Sequence, residues 1–187
     1  SNEELAVEFE ALLAIHPEAH VCCTGDNRWV VELLVLPNTA EDSGQQFVRT
    51  NLRIYLEEGG SASDTDGQAS GYPLSLPTLQ LTDVRGLPES SSAALLARLQ
   101  REAQTLVGEP MLCVLLGLAI EELTTMNCPD GDCIFCLESL KASVERSTNV
   151  EIVKLSDCFH CFHGTCIDAW WKHQQRCKEE TEAVTAP

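Results

Sequence analysis

The sequence predicts an α+β fold in which one helix is followed by an antiparallel sheet and then by two more helices. Three observations carry this prediction: a helical repeat of apolar residues near the start, strand-like stretches after it, and two further helical repeats beyond residue 90. Elements in this order usually form two layers, with the helices on one face of the sheet. A small module rich in cysteine and histidine follows from residue 128 onwards.

The first helix is predicted within residues 1–17, where Ser1 is a candidate cap, the first turn is acidic and apolar residues recur at helical spacing. Residues 29–36 and 47–56 are predicted strands because they are rich in β-branched and large apolar residues, and the second alternates polar with apolar. Residues 20–23 are a further candidate strand. Residues 57–71 are rich in Gly, Ser and Asp, which predicts a flexible loop.

The remaining elements of the sheet and helix layer follow a pair of prolines. Pro73 and Pro77 cannot donate to a strand ladder, so the chain after them is predicted to enter the sheet at an edge. Two helices are predicted next, separated by Gly108 and Pro110, with the second beginning at Met111. Their predicted buried faces are Leu95, Leu96, Leu99, Ala103, Leu106 and Val107 on the first, and Leu112, Leu115, Leu116, Ala119 and Leu123 on the second.

Charge and cysteine content narrow the function classes. The net charge is −17, from 29 acidic and 12 basic residues, so nucleic acid and anionic membranes are not expected as ligands and a protein partner is favoured. The apolar run at residues 111–120 is too short to span a bilayer. We expect an intracellular protein that is cytoplasmic, with the nucleus as an additional location. Ten cysteines in such a chain indicate metal binding more than disulfides.

Six residues of the C-terminal third have the spacing of zinc ligands. The first two form a Cys-x-x-Cys pair, which one tight turn can present to a single tetrahedral ion, and the others form a Cys-x-His-x-x-His-x-x-Cys array. A chance arrangement of buried cysteines is the alternative, and six residues at correct spacing argue against it. Cys128 and Cys161 lie off the pattern and are interpreted as non-ligands, although a spare cysteine can substitute for a ligand. The six candidates are Cys133, Cys136, Cys158, His160, His163 and Cys166.

The first two-thirds of the chain resembles an RWD domain. The resemblance rests on the order of elements, the acidic first helix and above all the motif Tyr72-Pro73-x-x-x-Pro77. RWD domains share the fold of ubiquitin-conjugating enzymes and lack their cysteine. The resemblance implies an RWD-like domain over residues 1–127 that recruits a protein partner.

The Cys/His array, with the run Cys166-Ile167-x-x-Trp170 after it, resembles a RING finger. The resemblance implies a finger over residues 128–177, a polar tail over 178–187, and two interleaved zinc ions. The first ion would be held by Cys133, Cys136, His163 and Cys166, while Cys158 and His160 would begin the second site. The fourth ligand pair of the family is missing before Pro187. Either the chain stops within an insertion that precedes this pair, which its polar end favours, or the second site is incomplete.

Together the two modules resemble the ubiquitin-protein ligases that join an RWD domain to a RING finger. This resemblance implies a ligase without a nucleophile of its own, which docks a conjugating enzyme charged with ubiquitin. Ile134 and Trp170 are the implied docking residues, with Trp171 as the alternative to Trp170. A non-catalytic adaptor with a degenerate RING finger is the competing hypothesis, and a zinc-dependent nucleic-acid binder is disfavoured by the negative charge.

Overall fold

The computed structural model describes residues 2–24, 28–39, 43–57, 71–146 and 150–185. The chain divides into two compact units, Ser1–Asn127 and Cys128–Pro187. Two sequence predictions fall outside the described residues: the Ser1 cap and the loop over residues 58–70.

The first unit has the predicted order of one helix, a sheet and two helices. The sheet is antiparallel with strand order β1-β2-β3-β4, so β4 lies at an edge as predicted from the prolines before it. The elements are α1 (Asn2–Ile15), β1 (His20–Thr24), β2 (Arg28–Val35), β3 (Arg49–Glu57), β4 (Thr78–Arg85), α2 (Glu89–Thr105) and α3 (Leu112–Thr125), with a 3-10 turn at Ser43–Gln45.

Burial alternates along the sheet and follows the helical repeat in α2 and α3. Leu52 and Ile54 of β3 are fully buried, opposite Leu33 and Val31 of β2, while their chain neighbours are only half buried. The buried face of α3 is the predicted one. The prediction is wrong for Val107, which is 43% exposed, because α2 ends at Thr105 and the chain then turns at Gly108 with a φ of 92°.

The tyrosine of the Tyr-Pro motif connects α1 to the start of α3. The Tyr72 hydroxyl lies 2.7 and 2.8 Å from the two carboxylate oxygens of Glu8, and it accepts a hydrogen bond of 3.0 Å from the Met111 N–H. The Leu112 N–H donates a 2.7 Å hydrogen bond to the same carboxylate. Both Glu8 and Tyr72 are buried, and burial followed by the hydrogen bond to Glu8 raises the pKa of Tyr72.

The second unit is small. Its elements are α4 (Leu140–Arg146), the antiparallel hairpin of β5 (Ile152–Lys154) and β6 (Cys161–His163), and α5 (Gly164–Thr185). The segment predicted as a polar tail continues α5 as far as Thr185, because no Gly or Pro interrupts residues 165–186. Among the described residues of this unit, the buried hydrophobic cluster consists of Cys133, Leu140 and Phe162. Over the described parts of both units, no helix is long and apolar enough to cross a membrane.

Candidate metal centre

Four of the six candidate ligands lie together in the second unit. The sulfur and nitrogen donor atoms of Cys133, Cys136, His163 and Cys166 are all within 4.8 Å of one another. Two come from the loop before α4, one from the last residue of β6 and one from the first turn of α5. The end of β6 and the start of α5 therefore bring the second pair of donors close to the first.

A tight turn presents the first pair of thiols, and we call residues 133–138 the first ligand loop. The Leu137 N–H donates a 2.7 Å hydrogen bond to the Cys133 carbonyl, and the Cys133 N–H donates a 2.9 Å bond to the Glu138 carbonyl. Leu137 has a φ of 61°, which lets the chain reverse directly after Cys136. The loop thus holds both cysteines on one turn, as a shared ion requires.

The thiols of the centre affect one another's ionisation. Burial raises the pKa of the Cys133 thiol, but backbone N–H groups of His163, Phe135 and Cys136 outweigh burial and leave that pKa lowered. Burial, followed by the hydrogen bond with Cys136 and the charge of Cys133, raises the pKa of Cys166 to about 11. Cys133 therefore loses its proton more readily than Cys166, and a bound cation would favour the ionised form of both thiols.

The donor set fits a metal ion. The Nδ1 atom of His163 lies 3.2 Å from the Cys136 sulfur, so this nitrogen faces the thiols. Its Nε2 atom is buried and has no hydrogen-bond partner among the described residues. Three sulfurs and one imidazole nitrogen this close together are a donor set of the kind that binds structural metal ions in tetrahedral geometry. The cluster could therefore hold one metal ion.

Cys158 and His160 are not part of this cluster. Both are exposed, and within the described ranges they are grouped with no further donor that would complete a metal site. Cys161 is half buried, which raises the pKa of its thiol, and its sulfur donates a 3.5 Å hydrogen bond to the Phe159 carbonyl. On α5 the Cys177 sulfur lies 3.6 Å from His173 Nε2, one turn away on an exposed face.

The loop that carries Cys158 repeats the geometry of the first ligand loop, and we call residues 155–160 the second ligand loop. Here the Phe159 N–H donates to the Leu155 carbonyl and the Leu155 N–H donates to the His160 carbonyl, both at 2.9 Å. Phe159 has a φ of 60°. In this repeat Leu155 stands where the first loop has Cys133, and Cys158 stands where it has Cys136. The second loop therefore presents one thiol where the first presents two.

The predicted docking residues are on the surface of the second unit. Ile134 is 68% exposed and Trp170 is 40% exposed. Phe135, which the sequence analysis did not single out, joins the first ligand loop to α5, since its ring centroid lies 5.9 Å from that of Trp170. Leu137 was also missed and is 78% exposed. Its position directly after the Cys-x-x-Cys pair was the available signal for it.

Comparisons with known proteins agree with this architecture. The RWD domain family model matches residues 68–123. The structure is similar to the solution structure of the RWD domain of mouse GCN2, with a TM-score of 0.54 and 20% identity, over 67% of this chain and 87% of that one. That likeness shows the fold of the first unit.

The chain is also similar to curated ubiquitin ligases along most of its length. It is 32% identical over 176 residues to E3 ubiquitin-protein ligase RNF25 of Danio rerio, covering 94% of this chain and 31% of that protein. It is 26% identical over 175 residues to RNF25 of Homo sapiens, covering 92% of this chain and 34% of the relative. The chain thus spans about a third of the length of these relatives. The RWD domain family model matches part of the first unit, and over more than nine-tenths of its own length the chain resembles the RNF25 ubiquitin-protein ligases.

Proposed function

We propose that this chain acts as a RING-type ubiquitin-protein ligase. In this proposal the zinc-bound second unit docks a conjugating enzyme charged with ubiquitin, and the RWD domain recruits a protein partner. The observation that carries the proposal is the four-donor cluster with an exposed apolar residue, Ile134, between two of its members. The similarity to RNF25 ligases supports it.

Zinc is the metal that the donor set favours. Zn²⁺ accepts mixed sulfur and nitrogen ligands in tetrahedral geometry and has no redox chemistry of its own. A closed site of four protein donors leaves no position for a substrate, so the ion's role is structural. Binding of such an ion supplies on the order of 10 kcal/mol to the folding of a small domain.

The contribution of the chain to catalysis is then orientation. Ile134 and Trp170 supply apolar contact for the conjugating enzyme, and Phe135 supports the Trp170 ring from the ligand loop. In the reaction the amine of a substrate lysine attacks the ubiquitin thioester carbonyl, and the thiol of the conjugating enzyme leaves. Holding the thioester in one reactive geometry lowers the entropic part of the barrier without a covalent step on this chain.

An autoubiquitination assay tests the proposal. We would compare the 187-residue chain with a form extended past Pro187, each with a panel of conjugating enzymes, and use Cys136→Ser as the variant that removes a ligand. The extended form should be active, and Cys136→Ser should lose both bound zinc and activity. Inactivity of the zinc-loaded extended form with every conjugating enzyme would refute the ligase proposal.

A non-catalytic RWD adaptor is the second candidate. It is favoured by the exposed Cys158 and His160, which are not grouped with any further donor in the described part of the chain. The same assay separates the two functions, because an adaptor would bind its partner while the extended, zinc-loaded form transfers no ubiquitin.

A further inference from the structure

An apolar groove runs between α1 and the start of α3 in the first unit. Its volume is about 470 Å³, and we call it the α1–α3 groove. Val7 and Ala11, one helical turn apart, line its α1 side, and Pro110 and Cys113 line the opposite side. Val7 is 65% exposed although it is a large apolar residue. This surface is thus wide enough for part of a ligand and carries apolar area that the described chain does not cover.

Small residues leave room for a helix to approach. Ala11 is exposed on α1, and Gly117 is exposed on α3 one turn after Cys113. A Cβ built on Gly117 would have no atom within 4 Å, so the space beside it is open. Val114, also exposed on α3, extends the apolar surface along that helix. Helix-in-groove recognition uses such a surface, in which apolar anchors one turn apart enter between two helices.

The charged residues that line the groove are acidic. Helix α1 carries Glu3, Glu4, Glu8 and Glu10, and helix α3 carries Glu121 and Glu122. Neither helix contains Lys or Arg, although Glu122 is already paired at 2.9 Å with Arg98 of α2. Glu3 and Glu4 line the groove itself. The Glu8 carboxylate at its inner side already accepts hydrogen bonds from the Tyr72 hydroxyl and the Leu112 N–H. The surface therefore offers apolar contact and negative charge to a ligand.

We propose that the α1–α3 groove docks an amphipathic helical segment of a partner protein, with apolar anchors at helical spacing and Lys or Arg residues beside Glu3 and Glu4. Charge complementarity selects this occupant, because an acidic or neutral polar segment would gain no favourable pairing at the acidic end. A second copy of the chain is disfavoured, since each copy carries a net charge of −17 and brings no basic residue on either helix.

This inference rests on the proposed recruiting role of the RWD domain and states the chemistry of the partner. It is independent of ubiquitin transfer, because the test uses neither a conjugating enzyme nor ubiquitin. Failure of the autoubiquitination assay would leave the groove proposal standing. Failure of the groove test would likewise leave the ligase proposal standing.

A displayed library of random peptides of about 16 residues, enough for four helical turns, is the probe. Selection is made on the zinc-loaded 187-residue chain, and the enriched peptides are measured by fluorescence anisotropy against three variants. Ala11→Trp fills the groove, and the double variant Glu3→Lys with Glu4→Lys reverses its acidic end. Ala94→Trp on the exposed face of α2 is the matched control for Ala11→Trp. Thermal unfolding checks that each variant is folded.

We expect enriched peptides with apolar residues at helical spacing and at least one Lys or Arg. Affinity should fall at least about tenfold with Ala11→Trp, because a filled groove removes the central apolar contact, and stay unchanged with Ala94→Trp. The charge reversal should weaken binding about tenfold at low salt and lessen the further weakening that added salt causes. Should Ala11→Trp not fold, Val7→Ser, at an exposed position, takes its place with the same expectation.

Three outcomes of the peptide experiment would overturn the proposal. The first is that no peptide is enriched over an unrelated protein, and the second is that enriched peptides bind Ala11→Trp or Val7→Ser as well as the parent chain. The third is that the enriched peptides lack basic residues and ignore the charge reversal. Analytical ultracentrifugation of the chain alone is a further check. If the chain formed a dimer and Ala11→Trp dissociated it, the occupant of the groove would be a second copy of the chain.

Discussion

Removal of one hydroxyl group, by Tyr72→Phe, should destabilise the first unit by about 3 kcal/mol. The hydroxyl is buried, hydrogen-bonds the Glu8 carboxylate at 2.7 Å and accepts the Met111 N–H at 3.0 Å. A hydrogen bond to a charged group contributes about 1.5–3 kcal/mol, and a buried N–H left without an acceptor costs about 1–3 kcal/mol. The carboxylate keeps its bond from the Leu112 N–H, which limits the loss.

Urea unfolding, followed through the amide NMR signals of Leu33 and Ile54 in the sheet core, measures this loss for the first unit alone. Tyr55→Phe is the matched control, because the Tyr55 hydroxyl bonds Gln80 at 3.1 Å on the exposed face and should contribute less than about 0.5 kcal/mol. If Tyr72→Phe and Tyr55→Phe lowered the free energy of unfolding by the same small amount, the hydrogen bonds of the Tyr72 hydroxyl would not be a major source of stability.

The Tyr72 hydroxyl should also make the stability of the first unit depend on pH in the alkaline range. The pKa of Tyr72 is raised in the folded unit, first by burial and then by Glu8, whereas an unfolded tyrosine ionises near pH 10. The stability that depends on the protonated hydroxyl is therefore fully present below about pH 10 and falls above it by about 1.4 kcal/mol per pH unit. Urea unfolding at pH 9 and pH 11 should show a steeper loss for the parent chain than for Tyr72→Phe. Equal losses would contradict this assignment.

Two further predictions concern the second unit. Native mass spectrometry of the 187-residue chain should show at most one tightly bound zinc ion, because Cys158 and His160 alone cannot complete a tetrahedron; two tight ions would mean that another residue completes the second site. In the form extended past Pro187, Ile134→Ala should abolish ubiquitin transfer and leave zinc content unchanged, since it removes about 2 kcal/mol of contact from a weak interface. Val144→Ala, an exposed apolar change on α4, should have no effect, and loss of zinc from Ile134→Ala would identify Ile134 as structural.

The fold of the first unit follows from periodicity wherever one face of an element is buried. The alternation in β3 and the apolar repeat of α3 each place the apolar residues on one face of the element. The buried residues of these two elements could therefore be predicted one by one. Element ends were less predictable. Val107 continues the apolar repeat of α2, yet the helix stops at Thr105, since the chain turns at Gly108. The polar end of the chain has no apolar repeat, so the continuation of α5 through it could not be predicted.

For the candidate site, the spacing of cysteines and histidines in the sequence was enough to predict which residues are candidate ligands. The pairing of the Cys133 loop with His163 and Cys166 came from the RING resemblance, because His163 lies 27 positions after Cys136 and no local pattern connects them. The equivalence of the two ligand loops was not predictable, since it lies in backbone hydrogen bonds around Leu155, a residue without metal chemistry. The contact of Phe135 with Trp170 likewise depends on how the loop meets α5.

Each of the two units is stabilised mainly by a different interaction, so we expect them to respond differently to the loss of metal. The first unit has an extensive core of fully buried side chains, Leu52 and Leu116 among them, and contains none of the clustered donors. In the described part of the second unit the buried cluster has three members, and one of them, Cys133, is itself one of the four clustered donors. So small a core cannot offset the entropy of ordering its chain without about 10 kcal/mol from a bound ion. A strong chelator should therefore abolish the dispersed amide signals of Leu140 and Phe162 and leave those of the first unit in place, and added zinc should restore them. If the signals of Leu140 and Phe162 persisted after the zinc had been removed, packing alone would hold the second unit together and the metal would not be its main source of stability.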